Sequence, residues 1–190
     1  MTRTRHTSRD LDLLPYEEGA RYEIIDGEIY VSKQPHWHHQ LVCNNTGTAL
    51  GQWSVATGLG FVAQAPGIVF SEDNDVAPDV VWASRERIQQ TLDRAGHFTA
   101  APELVIEILS PGSENLRRDR EAKLALYDRR DVQEYWMLDW VLRQVEVYRR
   151  QEGRLLAAAT LAEGETLTSP LLPGFSCPVS DLFFGVGPGT

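Results

Sequence analysis

Two carboxylates and one lysine stand where charge is costly. Asp79 opens the run DVVWA directly after Pro78, and Glu107 sits inside LVIEIL with apolar neighbours on both sides. A carboxylate inside a buried strand is expensive unless it is paired or bound to a metal. Lys123 lies in a segment, residues 113–130, whose apolar groups Leu116, Leu124, Leu126 and Tyr127 recur at helical spacing. At about 100° per residue Lys123 falls about 20° from Leu116, the centre of that apolar arc, whereas Arg117, Arg118 and Arg129 lie off it. The lysine is therefore expected to face the body of the protein. The ordinary alternatives are a solvated strand start for Asp79 and a snorkelling stem for Lys123. Glu107, apolar on both sides, has the weakest ordinary explanation.

Together these three groups suit hydrolysis of a phosphodiester. Carboxylate oxygens are the ligands that Mg²⁺ or Mn²⁺ prefers. Such an ion polarises a phosphoryl oxygen and acidifies a bound water. A nearby lysine orients or deprotonates that water, or balances charge on the pentacovalent phosphorus. The competing chemistry is acid–base hydrolysis of another substrate by the Asp79–Glu107 pair, which needs one of the two pKa values raised. An inward lysine favours the metal.

The elements that must position these residues follow from local pattern. Two β-prone runs flank Asp26-Gly27 in RYEIIDGEIYVS, a strong hairpin signal. Residues 36–56 carry apolar groups at helical spacing until Gly58 and Gly60 interrupt them. Strands are expected at 61–64, 68–70 and 79–83, a helical stretch at 84–94, and a buried strand at 102–109. Helix 113–130 and strand 134–139 then complete a parallel crossover. A second hairpin, 144–149 with 154–160, turns at Glu152-Gly153, and short helices are expected at 10–14 and 179–184. The fold class is α/β, or α+β, with one central mixed sheet flanked by helices and an N-terminal β-hairpin. A chain of 190 residues is read as a single domain over 1–190, with a core at 10–175 and frayed termini.

In these residues the sequence resembles the PD-(D/E)XK nuclease superfamily, and within it the Uma-two family of restriction-endonuclease-like proteins. The matching stretches are RYEIIDGEIYVS, HWHHQL, APDVVW, PELVIEILSP, KLALYDRRDVQEYW and the Leu138-Asp139 pair, in that order, across about residues 15–160. The resemblance implies a restriction-endonuclease-like core sheet, with Asp79 and Glu107 as metal ligands for Mg²⁺ or Mn²⁺. One departure stands out. Two positions after Glu107 the signature has a lysine, and this chain has Leu109. The family's displaced lysine matches Lys123, in agreement with the helical-wheel argument. Glu23, in the hairpin, matches an acidic position of the family and is the candidate for the glutamate that many members carry on the first helix. The implied activity is metal-dependent cleavage of DNA, with a homodimer suited to cutting both strands. The alternative is a catalytically silent relative that binds nucleic acid or a protein partner through the same fold.

The remaining signals are weaker. His36, His38 and His39 cluster without a zinc spacing and without a neighbouring cysteine in sequence, so a zinc site is disfavoured, while His39 can serve at a cleft mouth. Trp136 and Tyr135 read as core, and Tyr127 as core packing or as support for Lys123. Arg117, Arg118 and Arg120, or Arg143, Arg149 and Arg150, can track a phosphate backbone or form solvated salt bridges. The net charge of −9 argues against loose adhesion to nucleic acid or anionic membrane. The deficit is uneven: residues 84–154 are balanced, whereas 22–83 carry a single base, Lys33. Cys43 and Cys177 are expected as free thiols, and the absence of a signal peptide or apolar span points to a cytoplasmic protein.

Overall fold

The structure, a computed structural model, describes residues 5–11, 13 and 19–187, with the side chains of Ser113 and Glu114 excepted. Expectations for residues 1–4, and for much of the helix at 10–14, lie outside these; the described helix there is α1, Ser8–Leu11. Strands β1 (Arg21–Ile25) and β2 (Glu28–Ser32) pair antiparallel across Asp26-Gly27. Both turn residues adopt positive φ, 53° and 77°, as a tight two-residue hairpin demands. Helix α2 (Trp37–Thr57) follows. The His36 ring caps its start by accepting the His38 N–H, and Gly58, left-handed at φ 67°, ends it.

Next come β3 (Gly60–Gln64), β4 (Ile68–Ser71), β5 (Asn74–Val76), β6 (Val80–Ser84) and α3 (Arg85–Thr91). Strand β7 (Leu104–Ile108) leads through α4 (Ser113–Arg117), a π-helical turn (Arg118–Lys123) and α5 (Leu124–Arg129) into β8 (Glu134–Asp139). Strands β9 (Gln144–Gln151) and β10 (Arg154–Ala162) form the second hairpin, and β11 (Thr166–Thr168), β12 (Ser176–Pro178) and α6 (Val179–Leu182) close the described chain. No described helix is long and apolar enough to cross a membrane.

The central sheet has six strands in the order β10-β9-β8-β7-β6-β3. Only β7 and β8 run parallel, as a strand–helix–strand connection requires. The central mixed sheet is as expected, and two smaller sheets accompany it. The N-terminal hairpin joins β5 and β4 in a separate four-stranded antiparallel sheet, β2-β1-β5-β4, and β11 and β12 form a third, small one. Strand β5 was not foreseen because NDV is short and polar; pairing with β4 and with Ile24 of β1 makes it a strand. Asp79 likewise stands just before β6 rather than inside it.

Every residue of β7 and β8 is buried, so the centre of the sheet is covered on both faces. Alternation divides them. Leu104, Ile106, Ile108, Trp136 and Leu138 pack toward α2 residues such as Val42 and Leu50. Val105, Leu109, Tyr135 and Met137 pack toward α5 through Leu126 and Tyr127. Glu107 falls between Val105 and Leu109 in this alternation, so period 2 alone aims it at the crossover helix. Gly60 shows how close the packing is. A Cβ there would meet the Ala83 carbonyl oxygen at 2.3 Å and the Trp82 ring at 2.7 Å. Gly60→Ala should cost about 1–3 kcal/mol, read as a lowered denaturation midpoint at unchanged m-value.

The crossover helix is not uniformly α-helical. In an α-helix, residues five apart face about 140° away from each other. In a π turn the i→i+5 hydrogen bond brings them nearly into line. Arg118, Asp119 and Lys123 are consequently all buried. An α-helical wheel places Arg118 away from the core, and the wider winding is the reason the structure does not.

Candidate active site

Lys123 is 1% exposed, and its amine points inward. Its Nζ lies 2.9 Å from Glu107 Oε1 and 3.0 Å from Glu23 Oε1, with Asp119 Oδ1 at 3.9 Å. Three elements thus meet at one ammonium: β7 supplies Glu107, β1 supplies Glu23, and the π turn supplies both Lys123 and Asp119. Tyr127, four residues on, donates its hydroxyl to Glu107 Oε1 at 3.1 Å. The Ala77 N–H donates to Glu23 Oε1 at 3.0 Å. Asp79 approaches from the loop before β6. Its Oδ2 accepts the Ile108 N–H at 2.9 Å and lies 3.2 Å from His39 Nε2, while Arg21 Nη1 is 3.6 Å from Oδ1. Glu23, Asp79, Glu107, Lys123, Arg21 and His39 all line one cavity of about 620 Å³.

The charges in this cavity do not balance evenly. Burial works against ionised Glu23, but Lys123, Arg21, Arg118 and the Ala77 N–H outweigh it and hold the group below the ordinary glutamate range. Burial also works against ionised Asp79, yet His39, Lys123 and the Ile108 N–H bring it down to about 2. Glu107 goes the other way. Burial pushes it up to about 8, Lys123 offsets only part of this, and Asp79, Asp119 and Glu23 add repulsion. Lys123 is raised above the ordinary lysine range, because Glu107, Glu23 and Asp119 outweigh its burial. The site therefore holds a firm ammonium and one carboxylate whose negative charge is under-compensated.

Both observations bear on a divalent cation. The donors are oxygens, the chemistry Mg²⁺ and Mn²⁺ favour. Glu107 is the group whose ionised form such a charge would stabilise, and Asp79 lines the same cavity. Asp79 and Glu107 therefore fit the ligand role. Arg21 adds a further donor. Its Nη2 is buried and has no hydrogen-bond partner among the described residues, on a wall suited to a phosphate oxygen.

Sequence reasoning missed Arg21, Cys43 and Asp119 as participants, and considered Arg118 only for a phosphate backbone or a solvated salt bridge. Arg21 and Cys43 carry no local oddity. Arg118 and Asp119 are hidden by the π turn: the Arg118 guanidinium donates to Asp119 Oδ1 at 2.7 Å and to the Ser32 hydroxyl at 2.7 Å. Cys43 was detectable, since it lies four residues after His39 on one helix, a spacing that shares a face. The histidine cluster is thus not without a cysteine: His39 Nδ1 is 3.6 Å from Cys43 Sγ. His39 is buried beside Asp79, while His36 stacks on Trp140 with centroids 5.0 Å apart and planes at 9°. Most of the arginines considered for a phosphate backbone are engaged internally. Arg120 pairs with Glu146, Arg143 with Glu163, Arg149 with Glu134, and Arg150 donates to main-chain carbonyls including Asp128. Arg117 is exposed.

Comparison with known proteins bears on the whole arrangement. A family model, Uma2, described as "Putative restriction endonuclease", matches residues 9–180. Among solved structures the chain is similar to a "putative nuclease belonging to DUF820" from Anabaena variabilis. That likeness has a TM-score of 0.72 at 20% identity and covers 93% of this chain and 97% of the other, which establishes a shared fold. The type IIG restriction endonuclease BpuSI matches at a TM-score of 0.43 and 13% identity, over 80% of this chain and 16% of that one. No curated protein matches the chain.

Proposed function

The chain belongs to the Uma2 family of restriction-endonuclease-like proteins, and from that membership we propose that it is a metal-dependent endonuclease hydrolysing DNA phosphodiester bonds. The observation that carries the reading is the Lys123 ammonium, 2.9 Å from Glu107 and 3.0 Å from Glu23, in the cavity that Asp79 also lines. Asp79 and Glu107 would hold Mg²⁺ or Mn²⁺. When bound, that ion supplies Lewis-acid polarisation of a phosphoryl oxygen and a more acidic water.

The protein's own groups do the rest. Lys123 stays protonated at neutral pH, so it serves as a fixed positive charge rather than a base. It offsets the negative charge that develops on the phosphoryl oxygens. Glu23, 3.0 Å from that ammonium, helps hold it in place. Arg21 receives a phosphate oxygen on its free Nη2 and orients the scissile group. His39 and the Ile108 N–H fix the rotamer of Asp79. The cavity residues Lys33 and Arg118 make its rim and wall more cationic than the chain's net charge suggests. A homodimer would place two such sites for cleavage of both strands of a duplex.

Supercoiled, linear and single-stranded DNA, incubated with Mg²⁺ or Mn²⁺, test this directly. Wild-type protein should cleave at least one form, and Asp79→Asn and Lys123→Met should lose at least roughly 10²–10³-fold in rate. Equal cleavage by all three proteins would show that the chemistry lies elsewhere. Binding without cleavage by wild type would favour the silent, binding-only reading.

A further inference from the structure

Asp79 faces two different sets of donors. One is Glu107, with hard oxygen ligands only. The other is His39 and Cys43, four residues apart among the buried residues of α2. One candidate ligand atom from each of His39, Cys43 and Asp79 lies within 4.8 Å of the others, and all three residues line the same cavity. His39 Nε2 is already 3.2 Å from Asp79 Oδ2. One imidazole, one thiol and one carboxylate around a cavity are the donors of a borderline-soft cation. His39 presents Nδ1 to Cys43 and Nε2 to Asp79, so closing the three onto one ion, with bonds of about 2.0–2.3 Å, gathers the ligand atoms about one of those two nitrogens.

We infer that His39, Cys43 and Asp79 form a second cation site, selective for Zn²⁺ and similar thiophilic ions, which shares Asp79 with the hard-cation site. Three protein ligands leave a fourth position for a water from the cavity, the open arrangement of a tetrahedral zinc centre. On binding, the Cys43 thiol forms the metal–sulfur bond and its proton passes to solvent, with no change of oxidation state. The α2 helix fixes the pair, because residues four apart lie one above the other on a single face. The Ile108 N–H donates to Asp79 Oδ2, the oxygen that also faces His39, and holds the carboxylate in place. Because the carboxylate serves both sites, a thiophilic ion and Mg²⁺ compete for it.

The test does not depend on cleavage, so it can fail or succeed independently of the nuclease reading. Co²⁺ is added to the intact chain as an optical probe for Zn²⁺. The site predicts a thiolate-to-cobalt charge-transfer band with tetrahedral visible bands, at one equivalent, displaced by Zn²⁺. Cys177→Ser should keep both sets of bands. Cys43→Ala should abolish the charge-transfer band. It should also weaken Zn²⁺ binding by no less than the roughly 10- to 100-fold that loss of even an outer-shell partner costs. Glu107→Gln, which leaves the three ligands in place, should retain the bands. Wild-type protein without a charge-transfer band overturns the proposal whatever the variants do, and leaves the Cys43–His39 contact as packing. A band that survives in Cys43→Ala overturns it as well.

Discussion

Lys123→Met should lower stability by about 3–5 kcal/mol at neutral pH, the cost of stripping one partner from a buried ion pair. Methionine fills much of the volume, so the loss is chiefly electrostatic: Glu23 and Glu107 are left buried without their shared ammonium. The variant's pH dependence identifies the cause. Without Lys123 both carboxylates titrate higher in the folded protein than in the unfolded chain. Between those values the folded state binds more protons, so the variant loses stability as pH rises. Its deficit relative to wild type should thus be small near pH 5 and largest near pH 8. Urea midpoints measured across that range decide the matter. A deficit that is constant with pH, or below about 1 kcal/mol throughout, would mean that the contact with the two glutamates carries little weight.

The second large effect separates stability from activity at one residue. Glu107→Gln keeps an oxygen to accept from Lys123 and from the Tyr127 hydroxyl, but removes the charge that burial makes unfavourable. Glu107 is raised in the fold, so wild type is penalised once the pH exceeds the ordinary glutamate value, and the penalty is complete above about 8. At pH 9 the variant, free of metal, should be as stable as wild type or more stable by about 0.5–2 kcal/mol. Cleavage should nevertheless fall by at least roughly 10²-fold, since a ligand has lost its charge. Thermal melts at pH 6 and pH 9, set beside the DNA assay, read both quantities. A strongly destabilised variant at pH 9 would show that Glu107 is a structural ion-pair partner and not a group strained for function.

These residues were legible for different reasons. Glu107 shows itself because strand interiors rarely carry carboxylates, Asp79 because it directly precedes the buried run VVWA, and Lys123 because an ammonium on an apolar arc needs an anion. Glu23 came from likeness alone; a single acidic residue in a hairpin says nothing about which sheet the hairpin joins. That sheet depends on β5, whose three residues, two of them polar, have no pattern until β1 lies beside them. Arg21 stayed hidden because its value is positional: only the assembled cavity shows a guanidinium nitrogen left unbonded. Cys43 was passed over in linear sequence although its helical spacing from His39 was countable. Helices with strong spacing and turns such as Asp26-Gly27 and Glu152-Gly153 were fixed locally, and both turns have positive φ at each residue.

The π turn at Arg118–Lys123 has a consequence for how this protein tolerates change. A π turn is an α-helix carrying one residue too many, held because its neighbours favour it; here Tyr135 donates its hydroxyl to the Asp119 carbonyl at 3.0 Å. Removing one exposed residue, such as Glu121, would restore ordinary winding and improve the backbone bonding. It would leave Arg118 four residues from Lys123 and Asp119 three, spacings that keep all three on one face of an α-helix. The extra residue therefore matches a wider winding to an unchanged set of inward side chains. Substitution or loss at an exposed position of this segment leaves the ammonium among its partners, whereas gain of one residue sets Arg118 six positions from Lys123, off its face in α winding.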